Sequence, residues 1–158
     1  MSTHPSTAKH GPDVVAPPPL LFLGPLLVGL ALDRLLPPPR LPRELRPLGA
    51  PLLAGGIALV VWFFTTMRAS GTPVDPRQAP TNLVEKGPFK FTRNPGYLGM
   101  GLIYSGLSLL TGGRWPLLLL PGVLLVVDRG VIQREERYLG SRFGSPYADY
   151  RARVRRWV

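Results

Sequence analysis

Two long apolar segments constrain the fold of this chain more than any other feature. From Leu48 to Met67 there is no ionisable residue, and from Leu20 to Leu36 the only ones are Asp33 and Arg34. At about 1.5 Å per residue, a twenty-residue helix reaches about 30 Å, the hydrocarbon thickness of a bilayer. We therefore predict two membrane-spanning helices. The alternative, a soluble enzyme with buried helices, would have to enclose both segments in one small domain.

Two shorter apolar runs follow, about Tyr97 to Leu110 and Trp115 to Val127. The sequence "TGGR" between them is a Gly-rich break suited to a tight helical hairpin. Because each run is short for a span, we expect the last helix to continue through "DRGVIQREERYL" and the third to begin near Pro95 with Asn94 as its cap. The pattern predicts an all-α, polytopic membrane protein with about four transmembrane helices.

The basic residues indicate the orientation of these helices. With four spans, the N-terminal tail, the 68–95 loop and the C-terminal part share one side and carry 14 Lys or Arg, against 5 on the other side. The positive-inside rule makes the richer side cytoplasmic. Anionic headgroups are a sufficient partner for the net charge of +10, and we predict no nucleic-acid role.

Composition excludes several kinds of chemistry. The chain has no cysteine, and its two histidines, His4 and His10, lie in the tail. We therefore expect no metal site, no thiol nucleophile and no Ser-His-Asp triad. Residues 1–18 are Pro-rich and are predicted to be a disordered tail, followed by a single domain over 19–158.

Polar residues are predicted to converge at the cytoplasmic ends of the third and fourth helices. A tight hairpin makes these helices antiparallel neighbours, so Arg93, Asn94 and Tyr97 would face Glu135 and Glu136. An acidic pair beside the membrane needs partners. The alternative is that Arg93 meets a phosphate headgroup while the glutamates form i,i+4 pairs on a solvated helix.

Two further patterns have alternative readings. Gly99, Gly101 and Gly106 allow close approach of another helix or of a ligand. Apolar and aromatic residues recur at spacings of three and four, which predicts a C-terminal amphipathic helix from about Ser145 that lies on the membrane with its aromatic side down. The recurring residues are Phe143, Tyr147, Tyr150, Val154 and Trp157. The alternative for this helix is contact with substrate through Tyr147, Tyr150 and Arg151.

Two stretches together carry a family resemblance. "GPFKFTRNPGYLG" and, after the helical hairpin, "REERYLGSRFGSPYADYRARV" resemble the isoprenylcysteine carboxyl methyltransferase and phospholipid methyltransferase family of integral membrane enzymes. The similarity covers about residues 81–154 and preserves motif order and spacing. Asn94 stands where the family has histidine, and Gly96 where a larger apolar residue is common.

The resemblance implies a methyltransferase that uses S-adenosyl-L-methionine and releases S-adenosyl-L-homocysteine. It also implies a cofactor pocket at the cytoplasmic ends of the third and fourth helices, with Arg93, Asn94, Glu135 and Glu136 as the catalytic candidates. The candidate cofactor-binding residues are Gly87, Pro88, Phe89, Arg93, Asn94, Pro95, Tyr97, Gly99, Gly101, Glu135 and Glu136. A glutamate of this set would hold the ammonium or ribose and Arg93 the carboxylate, while Phe89, Tyr97 or the neighbouring Phe91 would flank the adenine.

The expected partners are membrane lipids and a lipophilic or lipid-modified acceptor that approaches from the bilayer. An amine acceptor would need a glutamate as base, whereas a carboxylate acceptor would need only an arginine to orient it. The sequence leaves this choice open. The competing function is a non-catalytic helical membrane protein whose basic loops bind anionic lipid or a protein partner.

Overall fold

The computed structural model describes residue 12 and residues 16–36, 41–75 and 77–158. In these residues helix is the only regular secondary structure, which confirms the all-α prediction. The α-helices are α1 (Pro18–Leu35), α2 (Gly49–Ala69), α3 (Pro95–Thr111), α4 (Arg114–Val127), α5 (Gln133–Phe143) and α6 (Ser145–Arg153). Short 3-10 helices at Arg43–Leu48 and Gly87–Lys90 precede α2 and α3, and a π-helical turn at Asp128–Ile132 joins α4 to α5. Most of the predicted tail lies outside the described residues.

Three helical segments are long and apolar enough to cross a membrane: Pro18–Leu35, Arg43–Ala69 and Arg114–Phe143. The last confirms that the fourth apolar run continues through the acidic pair. Only 11% of the most apolar part of Arg43–Ala69 is buried, and large apolar side chains such as Ile57 and Val61 are exposed. Such a surface suits lipid better than water. Because α3 has 17 residues, its role as a fourth span stays a prediction.

Small residues allow close backbone contact in the two main helix pairs. In the α2–α3 pair, Gly49 lies against Gly106, and Gly56 lies against the backbone of Gly99 and Ile103. In the α1–α4 pair, Gly29 lies against Pro116 so closely that a Cβ would be 2.7 Å from the proline nitrogen. Backbones that approach this closely pack well without a hydrophobic driving force, which is absent between helices in lipid.

A carboxylate from α1 also caps α4. Asp33 Oδ1 accepts hydrogen bonds from the backbone N–H groups of Arg114 and Trp115, each at 3.2 Å. The predicted break before α4 is confirmed, since Gly112 adopts the left-handed conformation at φ 72° and ends α3. Asp33 therefore satisfies donors at a helix start whose own N-cap, Gly113, has no side chain to do so.

Two local predictions are wrong. Asn94 precedes α3, but its side chain donates to the Arg156 carbonyl oxygen at 3.0 Å and does not cap the helix. The C-terminal helix ends at Arg153, before Val154 and Trp157. Its Tyr147 and Tyr150 side chains are each 3% exposed, so the aromatic face packs against the protein and not against the membrane surface.

Candidate functional site

The turn that precedes α3 carries the first half of the site. Its Thr92 hydroxyl accepts a hydrogen bond from the Asn94 N–H at 3.2 Å, which tightens the turn. The Tyr150 hydroxyl of α6 donates to the Phe89 carbonyl oxygen at 2.8 Å and ties the turn to the end of the fold. Arg93 and Asn94 are thereby held at positions where their side chains are about nine-tenths buried.

The acidic pair at the start of α5 carries the second half. Glu135 Oε1 accepts a hydrogen bond from the Tyr97 hydroxyl of α3 at 2.7 Å. Glu136 Oε1 lies 3.0 Å from Arg93 Nη1. The predicted convergence of Arg93 and Tyr97 with the two glutamates is therefore confirmed as geometry. A π-helical turn lies immediately before α5, and such turns occur frequently at functional sites.

Glu136 has a second guanidinium partner. Arg156 donates from Nη2 to Glu136 Oε2 at 2.7 Å and from Nε to Oε1 at 3.1 Å. The same guanidinium donates from Nη1 to Asp128 Oδ1 at 3.2 Å. Glu136 is 9% exposed, so this buried carboxylate is compensated by two arginines, as a buried charge must be.

Arg93 keeps unused hydrogen-bonding capacity. Its Nη1 and Nε atoms are buried, and neither makes a hydrogen bond of good geometry within the described part of the chain. The approach of Nη1 to Glu136 is thus an ion pair without a directed hydrogen bond. A buried donor without a partner costs about 1–3 kcal/mol, and a bound ligand is one way to satisfy it.

A cavity of about 460 Å³ adjoins these groups. Its volume is within the range of about 300–1,000 Å³ that small-molecule sites occupy. One part of its lining is polar and includes Arg93, Asn94, Glu135 and Glu136. The remainder is mainly apolar and comes from α1, α2, α3, α5 and the 72–84 loop, including Pro18, Phe63, Phe64, Met67, Leu83, Val84, Met100 and Leu139.

The structure brings most of the predicted site residues to this cavity. Those in its lining are Phe89, Arg93, Asn94, Pro95, Tyr97, Glu135, Glu136, Tyr147 and Tyr150. Gly87, Pro88, Gly99, Gly101 and Arg151 are absent from that lining. Gly87 lies against Thr66 of α2, Gly99 against Val60 of α2, and Gly101 faces Leu124 of α4. Gly99 and Gly101 thus face neighbouring helices, as the helix-packing alternative expects, and their role in binding the cofactor stays a prediction.

Arg151 lies beside a second, more open cavity of about 590 Å³ between α5 and α6. Glu136 and Tyr147 line both cavities and separate them. Burial raises the pKa of the Tyr147 and Tyr150 hydroxyls, so neither adds a negative charge to this wall at neutral pH. The two tyrosine rings pack with their centroids 6.3 Å apart.

Sequence reasoning missed Arg156, Asp128 and the apolar wall from α2. Arg156 belongs to the run "RVRRW", in which nothing distinguishes it from Arg155. The one available signal was the acidic pair, which required cationic partners. The wall residues Phe63 and Met67 lie in an apolar segment whose inward and lipid-facing positions have the same composition.

The fold and site define a helical membrane protein with a buried, charged cavity at the ends of its helices. The family model described as phospholipid methyltransferase matches residues 45–146, well over half of the chain. The chain therefore belongs to the phospholipid methyltransferase family, which confirms the resemblance and implies methyltransferase activity at a membrane.

A relative in Haemophilus influenzae matches part of the chain. It is described as an uncharacterized protein and is 39% identical over 62 residues, which are 39% of this chain and 98% of the relative. No solved structure matches the chain.

Proposed function

We propose that this protein transfers a methyl group from S-adenosyl-L-methionine to a lipophilic acceptor that reaches the cavity from the bilayer. The observation that carries the proposal is the cavity itself, which joins a buried cluster of charges to an apolar wall. A cofactor with an ammonium, a carboxylate and an adenine needs both kinds of surface in one place.

The charges of the cluster complement this cofactor. Among the contacts described above, the carboxylates of Asp128, Glu135 and Glu136 outnumber the guanidinium groups of Arg93 and Arg156. S-adenosyl-L-methionine has an ammonium and a sulfonium against one carboxylate, so it carries an excess of positive charge. Burial in a low-dielectric site strengthens this attraction.

The two glutamates have different roles in this proposal. Glu136 is engaged by two arginines, so its function is to hold Arg93 in place. Glu135 accepts a hydrogen bond from Tyr97 and retains acceptor capacity for the ligand ammonium or ribose. The unused Arg93 donors receive the ligand carboxylate. Phe89 and Tyr97, both in the cavity lining, flank the adenine.

S-adenosyl-L-methionine supplies an electrophilic methyl group on sulfur, and its transfer needs the acceptor in line with the breaking bond. The protein contributes alignment and exclusion of water. The apolar wall of Phe63, Phe64, Met67 and Met100 is suited to the acyl or prenyl part of the acceptor. If the acceptor is an amine, Glu135 is the carboxylate with capacity to take its proton.

Calorimetric titration of the detergent-purified protein tests this proposal. We expect saturable binding of S-adenosyl-L-methionine and S-adenosyl-L-homocysteine, weakened at least about tenfold by Glu135→Gln and by Arg93→Ala. The matched controls are Glu44→Gln and Arg43→Ala, which change exposed residues that are absent from the cavity lining. They should bind as the parent does.

Absence of saturable binding in the parent would instead favour the non-catalytic lipid-binding protein. Incubation with methyl-labelled cofactor and extracted lipids, quinones or prenylated thiols then tests transfer itself. Label in the organic phase is the expected result.

A further inference from the structure

The segment that follows α6, residues 154–157, lies against the turn before α3; we call it the clasp. The Arg155 carbonyl oxygen accepts a hydrogen bond from the Arg93 N–H at 3.0 Å. The Arg156 carbonyl oxygen accepts one from the Thr92 hydroxyl and one from Asn94 Nδ2, both at 3.0 Å. Trp157 packs against the hydrophobic core. The clasp is therefore hydrogen-bonded to Thr92, Arg93 and Asn94, the residues of the turn that positions the Arg93 side chain.

The Arg156 side chain connects the clasp to the opposite side of the site. Its guanidinium holds both oxygens of Glu136 and also reaches Asp128 in the π-helical turn. Hydrogen bonding to Glu136 raises the pKa of Arg156, so the guanidinium stays charged. One residue thus links the start of α3 to the start of α5 by its backbone and its side chain.

The orientation of Glu136 decides how Arg93 is used. Carboxylate and guanidinium groups prefer a bidentate pair with two parallel hydrogen bonds. Arg156 occupies both oxygens of Glu136, so Arg93 makes a single ion-pair contact with Glu136, at 3.0 Å. Without Arg156, Glu136 would be free to turn and form directed hydrogen bonds with Arg93 Nε and Nη1, for which the described residues supply none of good geometry.

We propose that Arg156 is a positioning residue that keeps Glu136 from saturating Arg93, so that Arg93 remains available for the carboxylate of a ligand. The consequence for ligand binding rests on the proposed function. The clasp itself rests only on the hydrogen bonds and packing contacts described above. Arg156 does not act on the ligand directly; it acts through Glu136.

The test compares two ligands that differ in the amino-acid part. S-adenosyl-L-homocysteine carries the carboxylate, whereas 5′-methylthioadenosine has the same nucleoside and thioether without it. We expect Arg156→Gln to weaken the former about tenfold and the latter less than about twofold, because only the former uses Arg93. Arg156→Lys keeps the charge but lacks the planar guanidinium that can bind both oxygens of Glu136. Its affinity for S-adenosyl-L-homocysteine should lie between those of the parent and Arg156→Gln.

Arg155→Gln is the matched control. The Arg155 side chain is exposed, and the substitution keeps the carbonyl oxygen that accepts the hydrogen bond from the Arg93 N–H. It should bind both ligands as the parent does. Unchanged binding of S-adenosyl-L-homocysteine by Arg156→Gln would overturn the proposal. An equal loss for both ligands would overturn it as well, because it would indicate general loosening.

A second measurement separates this inference from the proposed function. If the parent binds neither ligand, the proposed function fails, but amide hydrogen exchange of residues 92–97 still reports on the clasp. Faster exchange in Arg156→Gln than in Arg155→Gln supports the clasp as an ordering device. Equal exchange in the two variants contradicts it.

Discussion

Glu135 and Glu136 are adjacent in the sequence but have different surroundings. Successive residues of an α-helix point about 100° apart, so the two carboxylates face different partners. Glu135 meets the Tyr97 hydroxyl, and Glu136 meets Arg93 and Arg156. Sequence reasoning treated them as interchangeable. In the structure Glu136 pairs with the protein's own arginines, whereas our proposal gives Glu135 to the ligand.

Asn94 provides a prediction at the same scale. It stands where the resembling family has histidine, and its Nδ2 donates to the Arg156 carbonyl oxygen. Neutral histidine also has one N–H donor, so Asn94→His at pH 8 should retain the parent's thermal unfolding midpoint in detergent. Asn94→Leu loses the bond and should cost about 1 kcal/mol, or about 2–4 °C for a chain of this size.

Ligand affinity should follow the same order for these variants, with Asn94→His close to the parent. A midpoint for Asn94→Leu equal to that of the parent would show that the bond to the clasp contributes nothing. A large loss in Asn94→His would show that the pocket at this position does not accept an imidazole.

At the scale of elements, the α2–α3 interface depends on glycines that allow backbone contact. A Cβ on Gly56 would lie 2.8 Å from the Gly99 carbonyl oxygen and 2.8 Å from the Ile103 nitrogen. Backbone atoms cannot move aside as a flexible side chain does. The turn carrying Arg93 continues directly into α3, so a shift of α3 on α2 would also displace one side of the cavity.

Gly56→Ala should therefore destabilise the protein by about 1–3 kcal/mol, the usual cost of overpacking. Gly55→Ala is the matched control, because a Cβ on the adjacent residue meets nothing within 4 Å. Size-exclusion chromatography after heating in detergent would show a lower aggregation midpoint for Gly56→Ala only. Similar midpoints for the two variants would contradict the close contact between α2 and α3.

At the scale of the whole molecule, the apolar segments made the helices predictable, and the Gly-rich break between two of them made the α3–α4 hairpin predictable. The sequence did not predict which helices pack together, because lipid-facing and packed positions of a membrane helix are both occupied by apolar residues. The acidic pair identified half of the polar wall. The other half, Arg156, could not be predicted, since it reaches Glu136 only through the path of the chain after α6.

The orientation of the bundle remains a prediction of the charge distribution. Because the chain has no cysteine, the parent protein is already a cysteine-free background. Variants with one introduced cysteine can therefore report which side of the membrane each position faces. Ala152→Cys lies on the side predicted to be cytoplasmic and Glu44→Cys on the opposite side, and both positions are exposed. In intact cells of a bacterial host, an impermeant maleimide should label Glu44→Cys, but Ala152→Cys only after permeabilisation. The reverse pattern would invert the predicted topology.

The pairing of α1 with α4 and of α2 with α3 has a consequence for biogenesis. As the nascent chain enters the membrane, α2 gains its main neighbour once α3 is made, whereas α1 gains its main neighbour only when α4 has emerged. Glu136 then stays without one of its two guanidinium counter-ions until translation has passed residue 156. The charged wall is therefore completed after the apolar scaffold, which delays enclosure of these carboxylates until their compensating cations have been synthesised.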